Sequence, residues 1–319
     1  MSEAPIALFV YRRPDHVRWT LESLTNCPEF GASALYVFCD GPKSEKDRPA
    51  VQSAREVARS LAGPHAVFVE SEVNKGLAKS IITGVTRVLA EHERIIVVED
   101  DLIVAPQFLT FLNLALERYA NEPKVMQVSG HMFDVNEFTT RREALFLPLT
   151  TSWGWATWAR AWAAFDPVAR EWEALRVDRA LRNRFNIGGN IDYAQMLCSQ
   201  AEGTLDSWAI RWYWSVFRRE GVVVFPPKTL VSNAGFDSTG THGWRVVRRL
   251  LGHRLSFPES GCPTFPATIA VLPTDVAAIT KSLQRQRLYS HWLAPPIRAL
   301  RRALRRATKF RNPSPGDSK

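Results

Sequence analysis

Four short apolar runs recur in the first hundred positions, each followed by a polar turn and then by helical spacing. "PIALFVY" (5–11) reads as a buried strand, and Val17, Leu21 and Leu24 after Pro14 carry the i, i+4, i+7 spacing of a helix. "ALYVFCD" (34–40), "HAVFVES" (65–71) and "RIIVVED" (94–100) read as three further strands, with helices expected over 50–62 and 75–92. Strands and helices that alternate in this way predict a mostly parallel sheet covered on both faces. Ligands of such sheets lie beyond the carboxyl ends of the strands. That rule gathers residues 11–13, Asp40, residues 74–79 and residues 99–101 at one edge.

From about residue 150 the pattern changes. "TTSWGWATWARAWAAF" (150–165) is crowded with tryptophan, and "VDRALRNRF" (177–185) and "LDSWAIRWYWSVFRREG" (205–221) have helical spacing. "GVVVFPP" (221–227) reads as another strand, and "NAGFDSTGTHG" (233–243) as a glycine-rich loop. Residues 1–130 are expected to form one half of a catalytic domain, 131–280 the other half, and 281–319 a basic tail.

Composition refines this picture. With 319 residues and 45% apolar content the chain can bury a sizeable core. Cys27, Cys39, Cys198 and Cys262 include no CxxC pair, against both a zinc site and a disulfide framework. The net charge of +9 suggests nucleic acid until it is located. Residues 281–319 hold 11 Lys/Arg and one Asp, leaving 30 basic and 31 acidic residues elsewhere. A neutral body argues against a nucleic-acid face, whereas "IRALRRALRRATKF" (297–310) reads as a basic amphipathic helix suited to an anionic membrane surface. No apolar run approaches the roughly 18 residues of a membrane span, so a cytoplasmic protein, peripheral at the membrane's inner face through its tail, is expected.

The candidate chemistry centres on "IIVVEDDLIVAP" (95–106), where a buried strand runs into three carboxylates. Crowded, desolvated anions are costly unless a cation joins them. A hard divalent ion such as Mn2+ or Mg2+, held by one or two carboxylates and a substrate's phosphates, meets that need. Lys75 and Lys79, beside a glycine at a helix start, suit a diphosphate. Arg12 and Arg13 follow the first strand and either meet a nucleotide or point into solvent. Trp153 and Trp155 offer faces on which sugars stack, and Gly154 permits close backbone approach; the alternative is an aromatic core.

"VVEDDLIVAPQF", about 60 residues after "VFCDG" and about 20 after "NKGLAKSI", resembles the nucleotide-sugar core of GT-A-fold glycosyltransferases, most closely the N-acetylglucosaminyltransferase I family, over roughly residues 4–245. The resemblance implies an α/β/α sandwich, with Asp101 as metal ligand and Asp100 and Glu99 as donor contacts. Asp40 falls where such enzymes bind the base or ribose, although an Asp before Gly also caps turns. "LDSWAIRW" resembles the family's acid-containing helix start, which makes Asp206 the candidate general base; a helix cap is the competing role. "GFDSTGTHG" matches a mobile loop, from which His242 would reach the metal or diphosphate.

The reading is a metal-dependent glycosyltransferase, hexosyl- or N-acetylhexosaminyl-specific. It moves a sugar from a nucleotide diphosphate donor to a carbohydrate or lipid-linked acceptor, with inversion as in the resembled family. The rivals are a nucleotidyltransferase, disfavoured because "YRRPDHVRW" carries no glycine, and a non-catalytic carbohydrate-binding or membrane-scaffold protein.

Overall fold

The computed structural model describes residues 3–189, 191–236 and 261–285. The first half alternates as the apolar pattern requires: β1 (Ile6–Val10), α1 (Pro14–Thr25), β2 (Leu35–Cys39), α2 (Arg48–Leu61), β3 (Val67–Glu70), α3 (Leu77–Leu89) and β4 (Arg94–Glu99). Then come β5 (Leu102–Val104), α4 (Phe108–Arg118), β6 (Val125–Ser129), β7 (Leu145–Leu147) and β8 (Trp155–Trp158). Short helices α5 (Ala159–Trp162), α6 (Ala174–Val177), α7 (Arg179–Phe185) and α8 (Tyr193–Ala201) lead to α9 (Trp208–Arg218), β9 (Val222–Phe225) and β10 (Val231–Asn233).

Eight strands form one sheet in the order β3-β2-β1-β4-β8-β6-β9-β7. The first four are mutually parallel, β8 runs against both β4 and β6, β6 and β9 are parallel, and β7 runs against β9. The sheet is therefore mostly parallel. Leu8 of β1 pairs with Val37 and Val98, and every residue of β1 is buried, which requires cover on both faces. Helices α1 and α2 pack together, and α3 packs on β1, β4 and α9.

The order of the strands places the ligand crevice. The chain moves outward from β1 to β2 and β3, then returns to lay β4 on the opposite side of β1. The carboxyl ends of β1 and β4 flank this reversal, and at such a switch point the diverging connections leave a crevice. Beside it, β5 and β10 form a separate antiparallel pair in which Asn233 faces Leu102 and Val231 faces Val104.

The tryptophan-rich stretch, open between a sugar platform and an aromatic core, is buried over 155–158. Residues 155–158 form a central antiparallel strand, because every side chain from Trp155 to Trp158 is buried between β4 and β6. A second apolar cluster gathers Phe185, Tyr213 and Trp214 with Ile279 and Leu283. The last two lie in a helical segment over 273–285, tied down by the Arg141–Asp275 ion pair at 2.8 Å. That segment runs through the expected boundary at 280/281. No described helix is long and apolar enough to cross a membrane. The basic stretch 297–310 lies outside the described residues.

Candidate active site

The acidic triplet sits at the switch point. β4 ends at Glu99, and Asp100 and Asp101 form the turn into β5. Asp100 is buried, with one carboxylate oxygen accepting from the Tyr11 backbone N–H at 2.9 Å and the other from the Arg13 guanidinium at 2.7 Å. Its own carbonyl accepts from the Thr20 hydroxyl at 2.9 Å, which fixes the turn to α1. The same Arg13 nitrogen reaches Asp101 Oδ2 at 3.0 Å. Asp101 Oδ1 is buried with no hydrogen-bond partner among the described residues.

The cation that the triplet demands is thus partly supplied from within, and by Arg13. Arg12, the arginine weighed for the nucleotide, turns the other way and pairs with Asp47 at 2.6 Å, with 44% of its side chain exposed. One position separates the two because Arg13 stands at the cap of α1, against the triplet, while Arg12 lies on the outer side of the turn.

Electrostatics remain unbalanced. Were all three carboxylates ionised, one guanidinium would leave a formal charge of −2 in a desolvated site. Burial, reinforced by Asp101 and Asp100 and only partly opposed by Arg13, pushes the Glu99 carboxyl up to about 8. Burial also raises Asp100, and outweighs the opposing pull of Arg13. Desolvation works against the Arg13 charge, but the two aspartates outweigh it and hold the guanidinium above its ordinary value.

A turn closes over this cluster. The Ala234 N–H donates to the Asp101 carbonyl at 2.7 Å, and the Gly235 N–H to Asn233 Oδ1 at 2.7 Å. A Cβ on Gly235 would come within 2.3 Å of Asp101 Oδ2 and 2.8 Å of an Arg13 nitrogen, so only glycine allows the backbone this close. His16, buried beneath, lies 3.4 Å from the Ala234 carbonyl through Nε2.

Among the described residues no group of three or more His, Cys, Asp or Glu side chains could enclose a metal ion. The residues present fit a different mode. A divalent cation can be held by one or two carboxylates and completed by substrate phosphates, and the orphaned Asp101 oxygen is an acceptor of the required kind. His242 lies outside the described residues.

The structure gives other candidates different parts. Asp40 accepts from the Gly41 and Lys75 N–H groups through Oδ1, at 2.9 and 2.8 Å, and from the Asn74 amide and Gly76 N–H through Oδ2, both at 3.0 Å. Four donors saturate both oxygens, so the carboxylate clamps the 74–76 turn and is not offered to a ligand. Lys75 and Lys79 project from that turn and from the first turn of α3, both exposed at the carboxyl edge.

Trp155 is a correction. It is 0% exposed and stacks on Trp208 at 5.1 Å, so it is core and no sugar reaches its face. Gly154 has φ +57, and a Cβ there would meet Phe108 and Val231 at 2.9 Å; its freedom serves packing against those side chains. Trp153 is half-buried and meets the His131 ring edge-on at 4.6 Å. His131 follows β6, with Nδ1 3.3 Å from Thr229 Oγ1.

Asp206 is 69% exposed and pairs with Arg211 at 3.2 Å. The cap of α9 is Ser207, whose hydroxyl accepts from the Ile210 N–H at 3.4 Å, so capping does not account for Asp206. Trp208 stacks on Trp155, which pairs with Val97 near the carboxyl end of β4, and this brings the start of α9 to the triplet's edge of the sheet.

A scan of family models finds no match, and neither does a search of curated proteins. Several solved structures align with the chain at low identity and low structural similarity. One is a putative nucleotide-diphospho-sugar transferase from Desulfovibrio desulfuricans, 13% identical over 90% of this chain and 98% of that one, with a TM-score of 0.41. Mouse xyloside xylosyltransferase 1 is 12% identical over 70% and 84%, with a TM-score of 0.37. The mannosyltransferase PcManGT from Pyrobaculum calidifontis, solved with GDP-Man and Mn2+, is 14% identical over 68% and 74%, with a TM-score of 0.35. Superpositions at this level assign no activity and no site residue to this chain.

Proposed function

We propose that the protein is a metal-dependent glycosyltransferase of GT-A type, whose crevice between β1 and β4 binds a nucleotide diphosphate sugar. The observation that carries this reading is the Glu99–Asp100–Asp101 triplet at the switch point of a mostly parallel sheet, with one Asp101 oxygen buried and unpartnered. The sequence resemblance to the N-acetylglucosaminyltransferase I family supports it.

In this mechanism Asp101 would hold Mn2+ or Mg2+, with Glu99 and Asp100 on the donor side. Bound there, such an ion offsets the negative charge that develops on the departing nucleoside diphosphate. Arg13 fixes the two aspartates relative to β1, and Lys75 and Lys79 add positive charge at the same edge. Asp206 takes the proton from the acceptor hydroxyl as it attacks the anomeric carbon, and Trp153 provides an acceptor-side apolar face. Direct displacement of this kind inverts the anomeric centre. The acceptor is a carbohydrate or lipid-linked glycan, and the sugar moved is a hexose or N-acetylhexosamine.

Release of nucleoside diphosphate from a panel of nucleotide sugars tests the reading. At least one donor should be hydrolysed or transferred with Mn2+ present, and Asp101→Asn should abolish the release. Absence of release from every donor, together with absence of any Mn2+-dependent thermal stabilisation by UDP or GDP, would remove the proposal.

A further inference from the structure

Arg13 contacts both aspartates with a single nitrogen, 2.7 Å from Asp100 Oδ1 and 3.0 Å from Asp101 Oδ2, while Gly235 closes over the pair. A guanidinium so placed does two things at once. It compensates Asp100, whose side chain is 6% exposed and has only the Tyr11 N–H besides. It also sets a full positive charge against the residue best suited to receive a divalent cation.

We infer that Arg13 is a resident counter-cation of the metal site, and that a divalent cation and a nucleoside diphosphate load together because the diphosphate draws Arg13 away from Asp101. The inference rests on the proposed function.

The physical argument is a competition for Asp101. An approaching cation meets Arg13 on the same carboxylate, and two like charges within a few ångströms in a poorly hydrated crevice oppose each other strongly. A diphosphate reverses the sign. Its oxygens accept from the planar guanidinium and also complete the coordination of a metal that has few protein ligands. Relieved of Asp101, Arg13 keeps its shorter contact with Asp100, so the buried aspartate is not left unpaired. Asp101 would then be free to receive the cation, and its Oδ1 already has no partner among the described residues. Specificity for the pair follows: neither ligand alone satisfies both Asp101 and Arg13.

The full chain should be titrated with MnCl2, free Mn2+ being read by its electron paramagnetic resonance signal, with and without UDP or GDP. Wild type should bind Mn2+ weakly alone and much more tightly with a nucleotide. Arg13→Gln should bind Mn2+ alone about tenfold or more tightly than wild type, and should lose most of the enhancement by nucleotide. Because Arg13→Gln leaves Asp100 buried and unpaired, the same comparison is made between Asp100→Asn and the double variant Arg13→Gln/Asp100→Asn, in which both charges are removed. There too, loss of Arg13 should tighten Mn2+ binding without nucleotide. Nucleotide-dependent Mn2+ binding in wild type, with no gain on losing Arg13 in either background, would overturn the inference and leave the proposed function standing. No Mn2+ binding by wild type with either nucleotide would overturn both.

Discussion

Arginine 13 should be worth far more to the fold than its neighbour, and the difference can be worked from burial. Replacing Arg13 by Ala strands Asp100, a carboxylate with a 6% exposed side chain that keeps a single backbone N–H donor. Removing one partner of a buried pair costs about 3–5 kcal/mol, because the remaining charge is desolvated without compensation. Arg12→Ala removes an exposed partner of Asp47, in the class of pairs worth about 0–1 kcal/mol. The stranded Asp100 can also escape by protonation, so the Arg13→Ala penalty depends on pH. Its folded pKa, already raised by burial, would rise further, the folded state would bind still more protons, and stability would fall more steeply as pH increases from the unfolded pKa of about 4 upward. Urea unfolding followed by tryptophan fluorescence at pH 5 and pH 7.5 measures this directly. The expected result is a loss of several kcal/mol at pH 7.5, a smaller loss at pH 5, and substantial recovery in Arg13→Ala/Asp100→Asn. A loss below about 1 kcal/mol at pH 7.5, or one equal to that of Arg12→Ala, would refute the assignment of Arg13 as the buried partner.

Other outcomes follow from the same geometry. Glu99, raised to about 8 in the folded protein, binds more protons folded than unfolded, so metal-free stability should decline between about pH 4.5 and pH 8; Glu99→Gln should flatten that slope in urea titrations. Trp155→Ala should cost about 3–5 kcal/mol by chemical denaturation, as for a large core side chain. Trp153→Ala should leave more of the stability intact and act on transfer to acceptor. Asp40→Ala removes the acceptor for three donors at 74–76 and should raise amide hydrogen exchange at Lys75 and Gly76. Asp206→Asn should lower transfer while nucleotide-induced thermal stabilisation with Mn2+ persists, whereas Asp101→Asn should lose both.

The apolar runs and their helical intervals determined the first four strands, the helices between them and the carboxyl edge where the chemistry gathers, because each of those elements is built from a local period in the chain. The triplet's need for a cation was equally local, since three adjacent carboxylates repel one another whatever surrounds them. Which cation answers could not be read the same way. Arg12 and Arg13 are the same residue type side by side, and only the angle at which β1 enters α1 sends one to Asp47 and the other to Asp100 and Asp101. Asp40 looked like a ligand contact because its position at a strand end is visible, whereas three of the four donors that saturate it come from a turn more than 30 residues away. The tryptophan stretch stayed open between two readings for a related reason. Trp155 to Trp158 are apolar or small on both faces, which suits a buried helix, a sugar platform or a central strand alike, and pairing with β4 and β6 chose the strand. Composition and spacing act along the chain. The pairing of Arg13, the saturation of Asp40 and the burial of Trp155 depend on contacts between distant segments, and those exist only once the sheet has closed.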